Sequence, residues 1–133
     1  MRLVLDNPPT VSAPFGDRFA HVARVDLDGG ALLVLSGQVA VDDAGEIVGP
    51  GDIEAQTTRI FDIIGAILAS HGATFADVLH VRTFMTSLDD LPGYGAARSK
   101  AFGALRPARK SRLTSTVVLA GRSAPKAFDR AAP

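Results

Sequence analysis

Three histidines, fourteen basic side chains, fourteen acidic ones and no cysteine make up the chemical stock of this 133-residue chain. Without cysteine there is no thiol nucleophile, disulfide, zinc–thiolate site or iron–sulfur cluster. The histidines do not supply a metal site either: no two of His21, His71 and His80 stand at a metal-ligand spacing, so no metal is expected. His71 falls at the end of a helical pattern, where the macrodipole favours a cation and a capping role is the sober reading. His80 reads as a half-exposed strand residue beside Arg82. His21, at the entrance to a hairpin, faces either a pocket or solvent. Neither Gly-x-Ser-x-Gly nor a Gly-rich phosphate loop occurs, so no cofactor is expected. Six of the twelve aspartates (Asp28, Asp42, Asp43, Asp52, Asp89, Asp90) sit in turns and at caps, which their side chains form readily.

The basic residues say more. Arg98, Lys100, Arg106, Arg109, Lys110 and Arg112 gather between a helix and a strand. Such a run is most often a solvated face, yet Arg106-Pro107-Ala108-Arg109 puts a guanidinium where a loop enters a strand, a common functional position. Its planar fork matches a carboxylate, so the residues by themselves point to a pocket for a small anion. The formal net charge is zero, which gives no global electrostatic case for nucleic acid or a membrane. No apolar run approaches the roughly 18 residues of a membrane span, and the N-terminus lacks a secretory apolar core; the default expectation is a cytoplasmic protein with no membrane partner.

These residues need elements to position them. At 47% hydrophobic and 21% charged, without a linker or repeat, residues 1–133 read as one domain. Residues 1–18, with Pro8-Pro9, Pro14 and Gly16, read as an irregular lead-in. Residues 19–25 and 31–36 read as strands joined by Asp28-Gly29-Gly30, strong hairpin chemistry. A short apolar segment then leads through the turn Asp42-Asp43-Ala44-Gly45 to Glu46-Ile47-Val48. Helix one begins at the N-cap Asp52, repeats Ile60, Ile63, Ile64, Ile67 and Leu68 at helical spacing, and stops at Gly72. Residues 77–86 read as a strand. Helix two starts near Asp89-Asp90 with Pro92 in its first turn, and Leu91, Tyr94, Ala101, Phe102 and Leu105 recur along it. A last strand spans residues 113–119, and residues 120–133 read as a loose tail.

Two helices can cover only one face of such a sheet. The run Leu32-Leu33-Val34-Leu35 is apolar on both faces, which asks for a cover on the other side. A closed homo-oligomer is the simplest supplier.

The motifs in this order resemble the Rid family, also called YjgF or endoribonuclease L-PSP. Ser36-Gly37-Gln38 is similar to its Ser-Gly-Gln strand end, and Gly49 to Ile67, with Gln56-Thr57, to its first helix. Asp77-Val78 with Phe84 to Asp89 resembles its next segment, and Pro107-Ala108-Arg109 its Pro-Ala-Arg signature. The likeness covers residues 19–113. It implies an α+β, chorismate-mutase-like fold: one mixed sheet with two helices on one face, assembled as a homotrimer whose sheets form a central barrel. It implies hydrolysis of reactive 2-imino and 2-enamino acids to 2-keto acids and ammonia, in clefts between subunits. Arg109 would then be the catalytic carboxylate clamp for a small carboxylate metabolite. Phe19, His21, Ser36, Gly37, Gly95 and Arg112 are the matching substrate-binding candidates.

The chain departs from the family at several of these places. The family tyrosine falls on His21 or Phe19, its helix-two asparagine falls on Gly95, and its terminal-strand glutamate has no counterpart, since residues 120–133 contain no Glu. After Arg109 the apolar alternation is shifted, so a bulge, or a register that brings Arg112 to the pocket, is expected. A non-hydrolytic carboxylate-binding protein is the alternative reading. Endoribonuclease activity is a weaker one, because zero net charge, one Tyr and no general acid–base pair give little to hold or cut RNA.

Overall fold

A computed structural model describes residues 1–14, 16, 18–105, 108–111 and 117–121, the last two stretches through their backbone. The strands are β1 (Arg2–Asp6), β2 (Val22–Leu27), β3 (Gly30–Leu35), β4 (Val78–Thr83), β5 (Ala108–Ser111) and β6 (Val117–Gly121). Helix α1 (Ile53–Ser70) follows β3, and α2 (Leu91–Phe102) follows β4. They form one six-stranded sheet in the order β1-β2-β3-β6-β4-β5, mixed because β4 and β5 run parallel and every other pair antiparallel.

The core lies between the helices and one sheet face. Val22, Leu33, Leu35, Val78 and Val81 pack with Phe61, Ile63, Ile64, Ile67 and Leu68 of α1 and with Tyr94 and Phe102 of α2. Phe61, Phe75 and Phe102 meet edge to face at centroid distances of 5.0 to 6.1 Å. In β3 burial alternates, with Ala31, Leu33 and Leu35 inward. The register carries this outward: Leu33 pairs with Leu119 and Leu35 with Val117. Leu32 and Val34 lie on the opposite face, in line with Val25 and Ala23 and then with Leu3 and Leu5. That open face is apolar, and Leu3, Leu5, Leu27 and Leu79 are exposed.

Helix α1 starts as its sequence requires. Asp52 Oδ1 accepts from the Ala55 amide at 3.0 Å. Just ahead, Gly49 holds φ +62° and a Cβ there would sit 2.8 Å from Ala55 Cβ, so the approach needs glycine. At the other end Gly72 has φ +71°, and the Ala73 amide donates back to Leu68 O at 2.9 Å. In α2, Ala97 is buried with Tyr94 and Phe102, whereas Leu91 is exposed, as is Leu105, which was expected along the helix and lies beyond its end.

Some expectations change. Residues 2–6 of the expected lead-in form strand β1, because antiparallel pairing with β2 needs only backbone groups. Residues 41–47 make an isolated Val41–Ile47 bridge, not a strand: Asp42 Oδ1 accepts from the Ala44 and Glu46 amides, both at 2.9 Å, and closes a turn. Ala108–Ser111 is a separate edge strand, and β6 begins at Val117. Of the expected tail, Ala120 and Gly121 belong to β6; residues 122–133 lie outside the described residues, as do 112–116, where the shifted alternation falls. A register shift is present in β4, between Val78 and His80. Among the described residues no helix is long and apolar enough to cross a membrane.

His71 does cap α1 through its backbone, but it is not the solvated cation that the macrodipole argument favours. Its ring is buried, with Nε2 3.0 Å from Asp6 Oδ2 but off the line of a hydrogen bond. Burial lowers its pKa from the ordinary 6.5, and nearby Arg24 adds to this, against the opposing pull of Asp6 and Asp26. The folded state therefore prefers the neutral ring. As pH falls below about 6.5 the unfolded chain takes up the proton first, so this stability is complete above that pH and is lost on acidification towards the lower folded-state pKa. Chemical denaturation at pH 7.5 and 5.5 should show a loss of stability that His71→Asn makes smaller.

Candidate active site

Two cavities meet at Gln38, the residue that follows Ser36-Gly37 beyond the end of β3. The smaller, about 40 Å³, is bordered by Ser12, Phe19, His21, Gly37, Gln38 and Ile63. The larger, about 130 Å³, lies between α1, α2 and the end of β4, among Gln38, Thr57, Phe61, Thr83, Met85 and Tyr94. Here the Thr83 hydroxyl and the Tyr94 hydroxyl are 2.7 Å apart, which joins β4 to α2 at the cavity wall.

A polar network holds the junction. His21 opens towards β2 and is buried. Its backbone amide donates to Asn7 Oδ1 at 2.8 Å, and its carbonyl accepts from the Ser36 amide at 2.9 Å, so the start of β2 and the end of β3 are fastened together. On the ring, Nε2 lies 2.6 Å from the Ser12 carbonyl and Nδ1 lies 3.2 Å from Gln38 Nε2. A carbonyl only accepts, so Nε2 carries the hydrogen and Nδ1 receives one from the Gln38 amide. The same Gln38 Nε2 donates to Ser36 O at 3.2 Å and to Ser36 Oγ at 3.3 Å, and Ser36 Oγ donates to His21 O at 3.3 Å. Each of these groups satisfies another, as buried polar groups must.

This geometry gathers four of the expected site residues, Phe19, His21, Ser36 and Gly37, on one side of Gln38. The Phe19 ring meets His21 edge to face at 6.4 Å. The Gly37 amide takes no partner among the described residues. Gly95 and Arg109 are placed by their elements alone. Gly95 follows Tyr94 in α2, and Arg109 stands in β5 opposite Val81, which lines the larger cavity. Arg112 lies outside the described residues. Gln38, Thr57, Thr83 and Tyr94 were not singled out as site residues. Of these Gln38 was the most legible, since it completes the Ser-Gly-Gln run. Among the described residues no three His, Asp or Glu side chains gather where they could hold a metal ion.

A helix pair over one face of a mixed six-stranded sheet, with a site at the end of β3, defines the class: an α+β protein of the Rid fold. The YyfA protein of the Rid family from Yersinia pestis superposes with a TM-score of 0.76 at 23% identity, over 90% of this chain and 99% of that one. The model of the Endoribonuclease L-PSP family matches residues 17–121, and the chain belongs to that family, the Rid family. A RutC family protein of Pyrococcus abyssi is 38% identical over 81 residues, 60% of this chain and 63% of its own length. The 3-aminoacrylate deaminase RutC of Acinetobacter baylyi is 30% identical over 78 residues, 59% of this chain and 62% of that protein. The chain thus spans under two thirds of the length of both relatives.

Two glycines in α2 separate packing from open space near this site. A Cβ on Gly93 would meet Ile53 Cγ2 at 2.5 Å, whereas one on Gly95 would meet nothing within 4 Å. Gly95→Ala should therefore stabilise the chain by about 0.5–1 kcal/mol through helix propensity. Gly93→Ala should destabilise it despite the same propensity gain. Paired denaturation curves check both signs.

Proposed function

We propose that this chain hydrolyses reactive 2-imino and 2-enamino acids to the 2-keto acid and ammonia, in clefts between the subunits of a homotrimer, with Arg109 as the carboxylate clamp. The observation that carries the reading is the register in which Arg109 pairs with Val81, a residue that lines the larger cavity together with Gln38. Support also comes from the A. baylyi relative, whose name describes the deamination of an enamine that bears a carboxylate.

The reaction asks for orientation more than for strong acids or bases. Water adds to the imine carbon while the C=N π pair moves to nitrogen. The resulting carbinolamine loses ammonia as C–N breaks and C=O forms. A guanidinium that grips the carboxylate fixes the carbon relative to the water. The Gly37 amide, without a partner among the described residues, is a second donor, at the smaller cavity. Phe19 would border the substrate there. Gly95 and Arg112 are the remaining candidates for its other side.

Threonine dehydratase releases 2-iminobutanoate, so 2-ketobutyrate formation in a coupled assay reads the activity directly. Wild type should accelerate it, and Arg109→Ala should lower kcat/KM by the roughly 2–5 kcal/mol that loss of one partner of a desolvated charge pair costs. No acceleration over buffer, with 2-ketobutyrate still bound, would leave the non-hydrolytic carboxylate-binding alternative. That alternative draws on the absence of Glu from residues 120–133.

The trimer is argued from the open sheet face. Leu3 is 62% exposed, Leu5 66%, Leu27 53% and Leu79 51%, an apolar surface larger than scattered single leucines would make. Sedimentation should find three times the 13.9 kDa chain mass, and Leu32→Glu at the centre of that face should give monomers with an unchanged circular dichroism spectrum.

A further inference from the structure

The Gln38 amide is locked in one orientation. Its Nε2 has acceptors in Ser36 O, Ser36 Oγ and His21 Nδ1. Two of these fix the sense of the amide independently. Ser36 O is a carbonyl and can only accept. His21 Nδ1 can only accept because Nε2 is the nitrogen that donates to Ser12 O. A flip of the amide would set oxygen against both.

The other end of the same group is open. Gln38 Oε1 takes no donor among the described residues, although the side chain is 92% buried, and the atom is not sealed from solvent. It belongs to the residue shared by both cavities. The buried network thus engages the donor end of the amide and leaves its acceptor end unengaged, in a residue that borders both cavities.

We infer that Gln38 Oε1 accepts a hydrogen bond from the water that attacks the imine carbon, and that His21 and Ser36 are positioning residues that hold the amide for it. This rests on the hydrolytic reading above. The chemistry explains why the sense of the amide matters. An acceptor binds an O–H of the water and turns an oxygen lone pair outward, towards the carbon. A flipped amide would present N–H and engage the lone pair that must attack. The amide is no base and keeps no proton. As the new C–O bond forms, the water gives one proton to solvent, and the nitrogen, which has received the C=N π pair, takes one from solvent. The amino nitrogen takes a second proton from solvent, ammonia leaves with the C–N pair, and the remaining hydroxyl proton is lost as C=O forms.

The test uses the full chain in the coupled assay. Gln38→Leu should lower kcat about ten- to hundredfold, the scale of a misplaced reactant, with KM changed by less than about threefold. Gln38→Met also removes the acceptor while filling similar space and should lose as much; it serves if the leucine variant does not fold. His21→Phe leaves the amide free to turn and should lower kcat with 2-ketobutyrate binding retained. In the double variant His21→Phe should cost nothing further, because its effect runs through Gln38. A folded Gln38→Leu with wild-type kcat, or fully additive losses, would overturn the inference and leave the hydrolytic reading standing. A wild type that does not accelerate hydrolysis would overturn both.

Discussion

A sheet with helices on one side only is the constraint from which the rest of this molecule follows. Helices α1 and α2 bury the face that carries Val22, Leu33, Leu35, Val78 and Val81. Nothing in the chain's described residues covers the face that carries Leu3, Leu5, Val25, Leu32 and Val34. With strands pleated, each residue that serves the core commits its neighbours to the other side, so an apolar β3 cannot avoid an apolar open face. β3 ends at Leu35, and Ser36, Gly37 and Gln38 follow just beyond it; of their amides only that of Ser36 has a backbone partner among the described residues, the His21 carbonyl. The site and the open face are therefore consequences of one strand.

The position of Gln38 also depends on β2. His21 precedes that strand and uses its backbone to accept from the Ser36 amide and its ring to accept from Gln38. Its second ring nitrogen reaches Ser12, in the segment between β1 and β2. A phenol ring at this position would have one polar atom at its tip; the imidazole has two on opposite edges. His21 can thus join two segments at once.

Much of this was legible from the residues alone, and what was not has a physical reason. Helix α1 was legible because its signals agree: Asp52 caps it, the isoleucines repeat at its period, and Gly72 ends it. The hairpin at Asp28-Gly29-Gly30 was equally plain. The edge strands were not. β1 turns Leu3 and Leu5 to solvent, and β5, Ala-Arg-Lys-Ser, has no apolar alternation to read; both are held through backbone pairing. His71 misled in charge because a local rule, the helix dipole, was set against a tertiary effect, burial beneath β1, that only the assembled fold reveals. For the site, Ser36-Gly37-Gln38 marked the place, but not that the glutamine would be oriented by His21, seventeen positions away.

That distance in sequence matters for how the site should be understood. A glutamine that follows a strand on a short irregular run is ordinarily free to rotate, and an amide that rotates presents donor and acceptor in turn. Here two parts of the chain, the residue before β2 and the residue after β3, meet only because those strands pair from Val22–Leu35 to Leu27–Gly30. Hairpin register, set by the turn at Gly29, is then what selects the face that the amide shows. A slip of one residue would carry the core residues to the open face and would also part His21 from Gln38. The requirement for a buried core and the requirement for an oriented acceptor are met by the same register, so selection on stability alone would tend to preserve the geometry that the proposed chemistry uses.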